Sequence, residues 1–297
     1  MSRKHPVVVV TGSSGAGTST VRKALESIFN RQKINPVVIE GDSFHRYDRA
    51  GMLQEMEQAS QAGISLSHFG EQANQFERLE QLFRNYGETG DGQRRFYLHN
   101  EEQARQHGER LGGECRAGEF TPWEDIGPGT DLLFYEGLHG LVKTAQVDMT
   151  RYVDLKLGVV PVVNLEWIQK IHRDHAERGY SQDEVVDSIL RRMPDYVKYI
   201  TPQFSETDIN FQRVATVDTS NPFIARDIPT LDESFVVIRF RQPDIRNTDF
   251  TNLLSMISGA FMSRRNTIVV PGGKMGMAME IILTPIIRDL MQRRNKK

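Results

Sequence analysis

The chain has 297 residues, of which 38% are hydrophobic and 26% charged, a composition that suits one large folded domain with a full core. A net charge of −2 excludes a general electrostatic draw toward nucleic acid or an anionic membrane. The single cysteine, Cys115, excludes an internal disulfide and a multi-cysteine metal site, and fits a reducing cytoplasm.

A short basic stretch leads straight into an apolar run, so no signal peptide is expected, and because later apolar runs are strand-sized no membrane span is expected. The valines at 7–10 are continuous rather than alternating, which predicts a parallel strand over 6–11 buried on both faces. The glycine-rich turn at 12–17 follows, and then a helix over about 19–31. Such a turn presents successive backbone N–H groups at a helix N-terminus, which carries roughly half a positive charge. Gly12, Ser13, Ser14, Gly15, Ala16, Gly17, Thr18, Ser19 and Thr20 are therefore candidate phosphate-binding residues, with the Ser19 hydroxyl placed for Mg²⁺. The pattern G-x-x-x-x-G-K-[ST] asks for lysine at 18, and this chain has Thr18. A plain strand-to-helix turn is the alternative. If phosphoryl transfer occurs here, a cation from elsewhere must reach the phosphate.

A second strand over 36–40 ends in Gly41-Asp42-Ser43-Phe44-His45-Arg46, where open α/β sheets place ligands. Asp42 is a candidate proton acceptor, and His45 and Arg49 are candidates to grip an anionic acceptor. A solvated surface turn is the bland reading of the same residues. Residues 50–86 look helical and polar with a break near Gly63, and 87–130 form a glycine-rich, loop-rich insertion. A third strand over 131–136 delivers Glu136 as a candidate Mg²⁺ ligand, with an ordinary edge-of-sheet acid as the alternative.

A fourth strand covers 155–160, and a charged helix covers about 164–178, stopped by Gly179. Lys170, Asp174 and Arg178 are spaced i, i+4, i+8 on it, with Arg173 beside them. Simple helix salt bridges explain that spacing. The alternative is a face closing over phosphates, with Lys170 replacing the absent loop lysine and Asp174 assisting at the metal or acceptor. Ser181 and Glu184 form a capping box for the next helix. Strands over 235–240 and 267–270 and an amphipathic helix over 275–293 complete an α/β domain, expected as a single unit over 1–297. The turn at Pro271-Gly272-Gly273-Lys274 is a strand-to-helix connection, since no Ser or Thr follows its lysine.

The segments GSSGAGTST, EGDSFHRYDR, LLFYEGLHG, VVNLEWIQKIHRDHAERG, ITPQFSETDINFQRV, VDTSNPF and IVVPGGKMGMAMEIIL together resemble the proteobacterial type of phosphoribulokinase, over nearly the whole chain. The resemblance implies a P-loop kinase fold similar to the nucleoside monophosphate kinases, with a mostly parallel or mixed sheet flanked by helices. It implies Mg²⁺- and ATP-dependent phosphorylation of ribulose 5-phosphate at its 1-hydroxyl, giving ribulose 1,5-bisphosphate for carbon fixation. By matching motif, Asp42 becomes the general base, and His45, Arg49, Arg173 and Arg178 hold the sugar phosphate. Lys170 stabilises the transferred phosphoryl, and Glu136 and Asp174 serve Mg²⁺–ATP. The family's own loop lacks the lysine, so Thr18 agrees with it. The resemblance further implies a cytoplasmic homo-oligomer, commonly an octamer, activated by NADH, with Arg31, Arg239 and Arg264 at the positions that carry this response. A uridine kinase-like or other small-molecule kinase, and a nucleotide-sensing regulator without catalysis, are the rival readings.

Overall fold

The computed structural model of the chain describes residues 4–13, 18–225, 227–243 and 248–295, without the side chains of Ser19, Glu177, Arg178 and Asn295. The first strand, β1 (Val7–Gly12), is buried along its whole length. Its valines serve two cores: Val8 and Val10 pack on one face of the sheet, and Val7 and Val9 on the other. This is why the sequence shows no polar alternation there, since both faces of the strand are covered.

The chain continues through α1 (Thr18–Gln32), β2 (Pro36–Glu40), α2 (Arg49–Gln61), α3 (Phe76–Thr89), β3 (Gln93–Arg94), α4 (Glu101–Leu111) and β4 (Glu124–Asp125). It then passes through β5 (Leu132–Gly137), β6 (Leu155–Val160), α5 (Val163–Arg178), α6 (Gln182–Asp195), β7 (Ile209–Ala215) and β8 (Ser234–Phe240). It closes with α7 (Phe250–Met256), β9 (Phe261–Arg264), β10 (Thr267–Pro271) and α8 (Met275–Asn295). Among the described residues, eight strands form one sheet in the order β2-β5-β1-β6-β7-β8-β10-β9. The first five lie parallel, and β8, β10 and β9 add antiparallel pairs at the far end. The expected α/β architecture with a mixed sheet and flanking helices is the one observed.

Helix α8 buries Met275, Ala278, Met279, Ile282, Leu283, Ile286 and Ile287, the i, i+3, i+4 stripe of an amphipathic helix, against the same face as α1. The other face carries α3, through Phe76, Leu79, Leu82, Phe83 and Tyr86. No helix among the described residues is long and apolar enough to cross a membrane.

Several elements depart from the sequence reading. Residues 50–86 are two helices separated by an irregular stretch that holds only the 3-10 turn Glu71–Ala73. The glycine-rich 87–130 stretch contains a whole helix, α4, capped by the Asn100 side chain on Gln103 N and ended by Gly112 at φ 69°. Gly112, and Gly90, which ends α3 at φ 82°, are thus punctuation around structure rather than loop. Strands β7 and β9 and helix α7 were not expected from the pattern. The charged helix α5 does end at Gly179, at φ 71°, and the Ser181–Glu184 capping box is present. After Pro194 the helix α6 opens into the π-helical turn Tyr196–Ile200.

Candidate active site

The carboxyl ends of the five parallel strands converge on one rim, the position at which open α/β sheets bind ligands. At its centre, β1 hands over to the glycine turn and α1. Ser14, Gly15, Ala16 and Gly17 lie outside the described residues, as does the Ser19 side chain. Gly12, Ser13, Thr18 and Thr20 bracket them. Thr11, the last side chain of β1 before the turn, is buried, and its single hydroxyl proton is shared between Gln203 Oε1 (3.0 Å) and Leu138 O (3.2 Å). Gln203 in turn donates to Leu138 O (2.8 Å), so the strand end is fixed to the loop that follows β5. The Ser13 hydroxyl is 1% exposed and, among the described residues, makes no hydrogen bond of good geometry. It stands near the Glu166 carboxyl without hydrogen-bond geometry. Burial pushes that carboxyl above the usual range, while Ser13, Tyr196, Lys170 and Arg173 pull against the shift.

Strands β2 and β5 pair with Glu40 opposite Glu136. Just beyond, Gly41 and Gly137 meet so closely that a Cβ on Gly137 would lie 2.7 Å from the Gly41 Cα. Glycine is required at this contact, and the contact brings the two carboxylates together at the rim. Arg22, on α1, lies 2.8 Å from Glu40 Oε1 and 3.5 Å from Glu136 Oε2 and also pairs with Glu26. Burial alone would lower the guanidinium's pKa, but hydrogen bonds to Glu26 and Glu40, with the Glu40 and Glu136 charges, hold it above the ordinary arginine value. Glu136 was expected here; Glu40 and Arg22 were not. Two carboxylates side by side at a strand end, with a single organic cation between them, form a donor set suited to a hard divalent metal.

Asp42 sits in the 3-10 turn Gly41–Phe44 that ends β2. Its Oδ1 is 3.7 Å from His45 Nε2 and its Oδ2 is 3.8 Å from His99 Nε2. His45 is buried, and burial above all, helped by His99 and Arg95 and opposed by Asp42, lowers its pKa. It is therefore a neutral ring at pH 7, suited to hydrogen bonding rather than to charge pairing. Arg49 opens α2 beside the Asp48 cap and donates Nη2 to His99 O at 3.0 Å. His99 escaped the sequence reading, although residues 95–99 (Arg95, Phe96, Tyr97, Leu98, His99) show a polar–apolar alternation that marks an extended segment with His99 on its polar face.

On α5, Leu165, Ile168 and Ile171 form a buried stripe at three-residue steps, and Asp174 continues it at 2% exposure. A carboxylate in that row needs cations beside it. Lys170 supplies one through a direct ion pair, and Arg173 Nε another at 3.2 Å from Asp174 Oδ1. Burial lowers the Lys170 pKa, with the Asp174 hydrogen bond opposing it. The structure thus brings Lys170, Arg173 and Asp174 together, while the Arg178 side chain lies outside the described residues. Beyond the rim, Arg31 at the end of α1 pairs with Glu280 at 2.8 Å. Arg239 and Arg264 are exposed and stand on either side of Thr267 in one row across β8, β10 and β9.

Residues 7–220 match the Phosphoribulokinase / Uridine kinase family. Among curated proteins, the chromosomal phosphoribulokinase of Cupriavidus necator is 57% identical over 297 residues, 100% of this chain and 99% of that protein. The phosphoribulokinase of Nitrobacter vulgaris is 55% identical over 297 residues, 100% of both chains. Among solved structures, phosphoribulokinase from Rhodobacter spheroides matches with a TM-score of 0.88 and 52% identity, covering 98% of this chain and 99% of that one.

Proposed function

The chain belongs to the Phosphoribulokinase / Uridine kinase family and is a phosphotransferase enzyme, and from that premise we propose that it transfers the γ-phosphoryl of ATP to the 1-hydroxyl of ribulose 5-phosphate. The products are ribulose 1,5-bisphosphate and ADP, which places the enzyme in carbon fixation by the Calvin cycle. The observation that carries this reading is the Asp42 carboxylate, set at a strand end between the imidazoles of His45 and His99 and on the same rim as the phosphate turn.

In this reading the phosphates of ATP lie at the N-terminus of α1 on the backbone N–H groups of the turn. Glu136, with Glu40 beside it, would hold Mg²⁺, and Ser19 and Asp174 are its further candidate ligands. Bound Mg²⁺ neutralises charge on the phosphates. Asp42 accepts the proton of the acceptor hydroxyl as its oxygen bonds to the γ-phosphorus and the bond to ADP breaks. Lys170 then supplies the cation missing at Thr18 and must turn from Asp174 toward the transferred phosphoryl, so that Asp174 stores this cation until the donor and acceptor are present. Arg49, Arg173 and Arg178 grip the acceptor's phosphate, and His45 hydrogen-bonds it as a neutral ring.

The same proposal includes a cytoplasmic homo-oligomer, an octamer by resemblance, that is activated by NADH. Arg239 and Arg264, paired across Thr267, and Arg31 are its candidate effector residues. ADP release measured across a panel of sugar phosphates and nucleosides, with and without NADH, tests the whole reading. Turnover of ribulose 5-phosphate is expected. Turnover of uridine alone would replace it with a uridine kinase, and nucleotide binding without any turnover would leave a sensor.

A further inference from the structure

We propose that Arg95 is a positioning residue for the reaction, clamping the turn that carries Asp42 so that its carboxylate faces the acceptor hydroxyl. This deepens the function proposed above and rests on it.

The 87–130 stretch adds no strand to the eight-stranded sheet. Its residues 95–99 run extended against residues 118–121. Leu98 N–H donates to Glu119 O (2.9 Å), Thr121 N–H to Phe96 O (2.9 Å) and Gly118 N–H to Leu98 O (2.6 Å). Side chains alternate along an extended chain, so Arg95, Tyr97 and His99 share one face and Phe96 and Leu98 the other. The first face meets the end of β2 at three points. Arg95 donates Nε to Ser43 O at 2.8 Å and Nη2 to His45 O at 2.6 Å. The Tyr97 ring lies 6.5 Å from the His45 ring, and His99 stands 3.8 Å from Asp42.

The planar fork of an arginine holds two acceptors at a fixed separation, which a lysine or an amide cannot reproduce. Here the two carbonyls lie one and three residues after Asp42, within the turn that carries it. The guanidinium carbon itself lies over two rings, 3.6 Å from the centre of Phe120 and 4.7 Å from that of Trp123. Among the described residues no carboxylate pairs with Arg95, and burial, followed by the neighbouring Arg78, pulls its pKa down to about 10. An apolar side chain would fill the same space without the cost of a half-buried cation. The cation is retained where two carbonyls beside the candidate general base need simultaneous donors.

The test uses the full chain with Arg95→Met and Arg95→Lys, assayed for ADP release with ribulose 5-phosphate. Nucleotide binding is followed separately through the thermal shift produced by ADP and Mg²⁺. For Arg95→Met, kcat should fall roughly 30- to 100-fold, the loss expected for a misplacement of about 1 Å, with the KM for ATP and the thermal shift unchanged. Arg95→Lys keeps the charge but cannot span both carbonyls, and should recover only part of the loss. If Arg95→Met folds poorly, Arg95→Lys decides alone: a lowered kcat with normal nucleotide binding supports the inference. A kcat within about threefold of the parent in either folded variant overturns it. Parallel loss of kcat and nucleotide binding in Arg95→Lys also overturns it, because that is the mark of a general brace. No turnover of ribulose 5-phosphate by the unchanged chain would remove the proposed function itself, an outcome distinct from an active parent with an indifferent Arg95.

Discussion

Glu40 and Glu136 face each other in register at the carboxyl ends of neighbouring parallel strands, and the Arg22 guanidinium sits between them, closer to Glu40 than to Glu136. Two like charges at this spacing repel, so the arginine acts as their counter-ion. Arg22→Met should lower Tm by about 2 °C without divalent cation, the equivalent of about 1 kcal/mol for a partly exposed pair in a chain of this size. Mg²⁺ should restore most of that loss, since it compensates the same carboxylates. Thermal unfolding with and without Mg²⁺ checks this, and an equal drop in both buffers would count against a shared cation site.

Asp42→Asn should retain the thermal shift given by ADP and Mg²⁺ while kcat falls by roughly two to four orders of magnitude, the usual contribution of a general base. The substitution preserves shape and removes only the proton acceptor. An unchanged kcat would take Asp42 out of the chemistry.

Lys170→Met should slow phosphoryl transfer by roughly 10²- to 10³-fold, the cost of losing a group aimed at developing charge. Thr18→Ala should cost much less, because a threonine in the loop contributes no charge. Single-turnover rates for the two variants decide the matter. A larger defect at Thr18 would return the essential contact to the loop.

His139 follows β5, buried at 3% exposure, with Nε2 3.0 Å from Phe69 O and its ring against Phe76. Burial, followed by the neighbouring His45, lowers its pKa to about 3 from an ordinary 6.5. The folded pKa is the depressed one, so between pH 6.5 and about 3 the unfolded chain binds a proton that the folded chain refuses. Stability from this group should therefore fall with decreasing pH across that window, by about 1.4 kcal/mol per pH unit, and be insensitive to pH above it. Urea unfolding at pH 7, 6 and 5 measures the slope. His139→Gln, which keeps a donor for Phe69 O but cannot titrate, should reduce it by one proton's worth.

How much of this was legible beforehand varied with the kind of signal. The double burial of β1 leaves an unmistakable mark, a run of valines without alternation. The Ser181–Glu184 cap and the Gly179 stop were likewise readable, because caps are local chemistry between residues a few positions apart. Glu40 was passed over because its significance lies in register: only the pairing of β2 with β5 sets it beside Glu136. Arg22 looked like one more charged position on a helix, and its role depends on two acids from other strands. Arg95 and His99 were hidden differently. The alternation around them was present, but glycines on either side suggested loop, and nothing local says that the exposed face of residues 95–99 meets a turn some 50 residues earlier. The fold followed from patterns along the chain, whereas the site depended on pairings across it.

The wall formed by residues 95–99 lies outside the main sheet, and its own strand pair, β3 with β4, is separate from it. In the proposed reading, the donor end of the site is rooted in β1, buried along its whole length, whereas the acceptor end is roofed by a surface excursion. A chimera exchanging this excursion for that of another kinase of the family could retune which hydroxyl is presented while leaving the nucleotide engine intact, and it offers protein engineers one contiguous cassette in which to search for altered sugar choice.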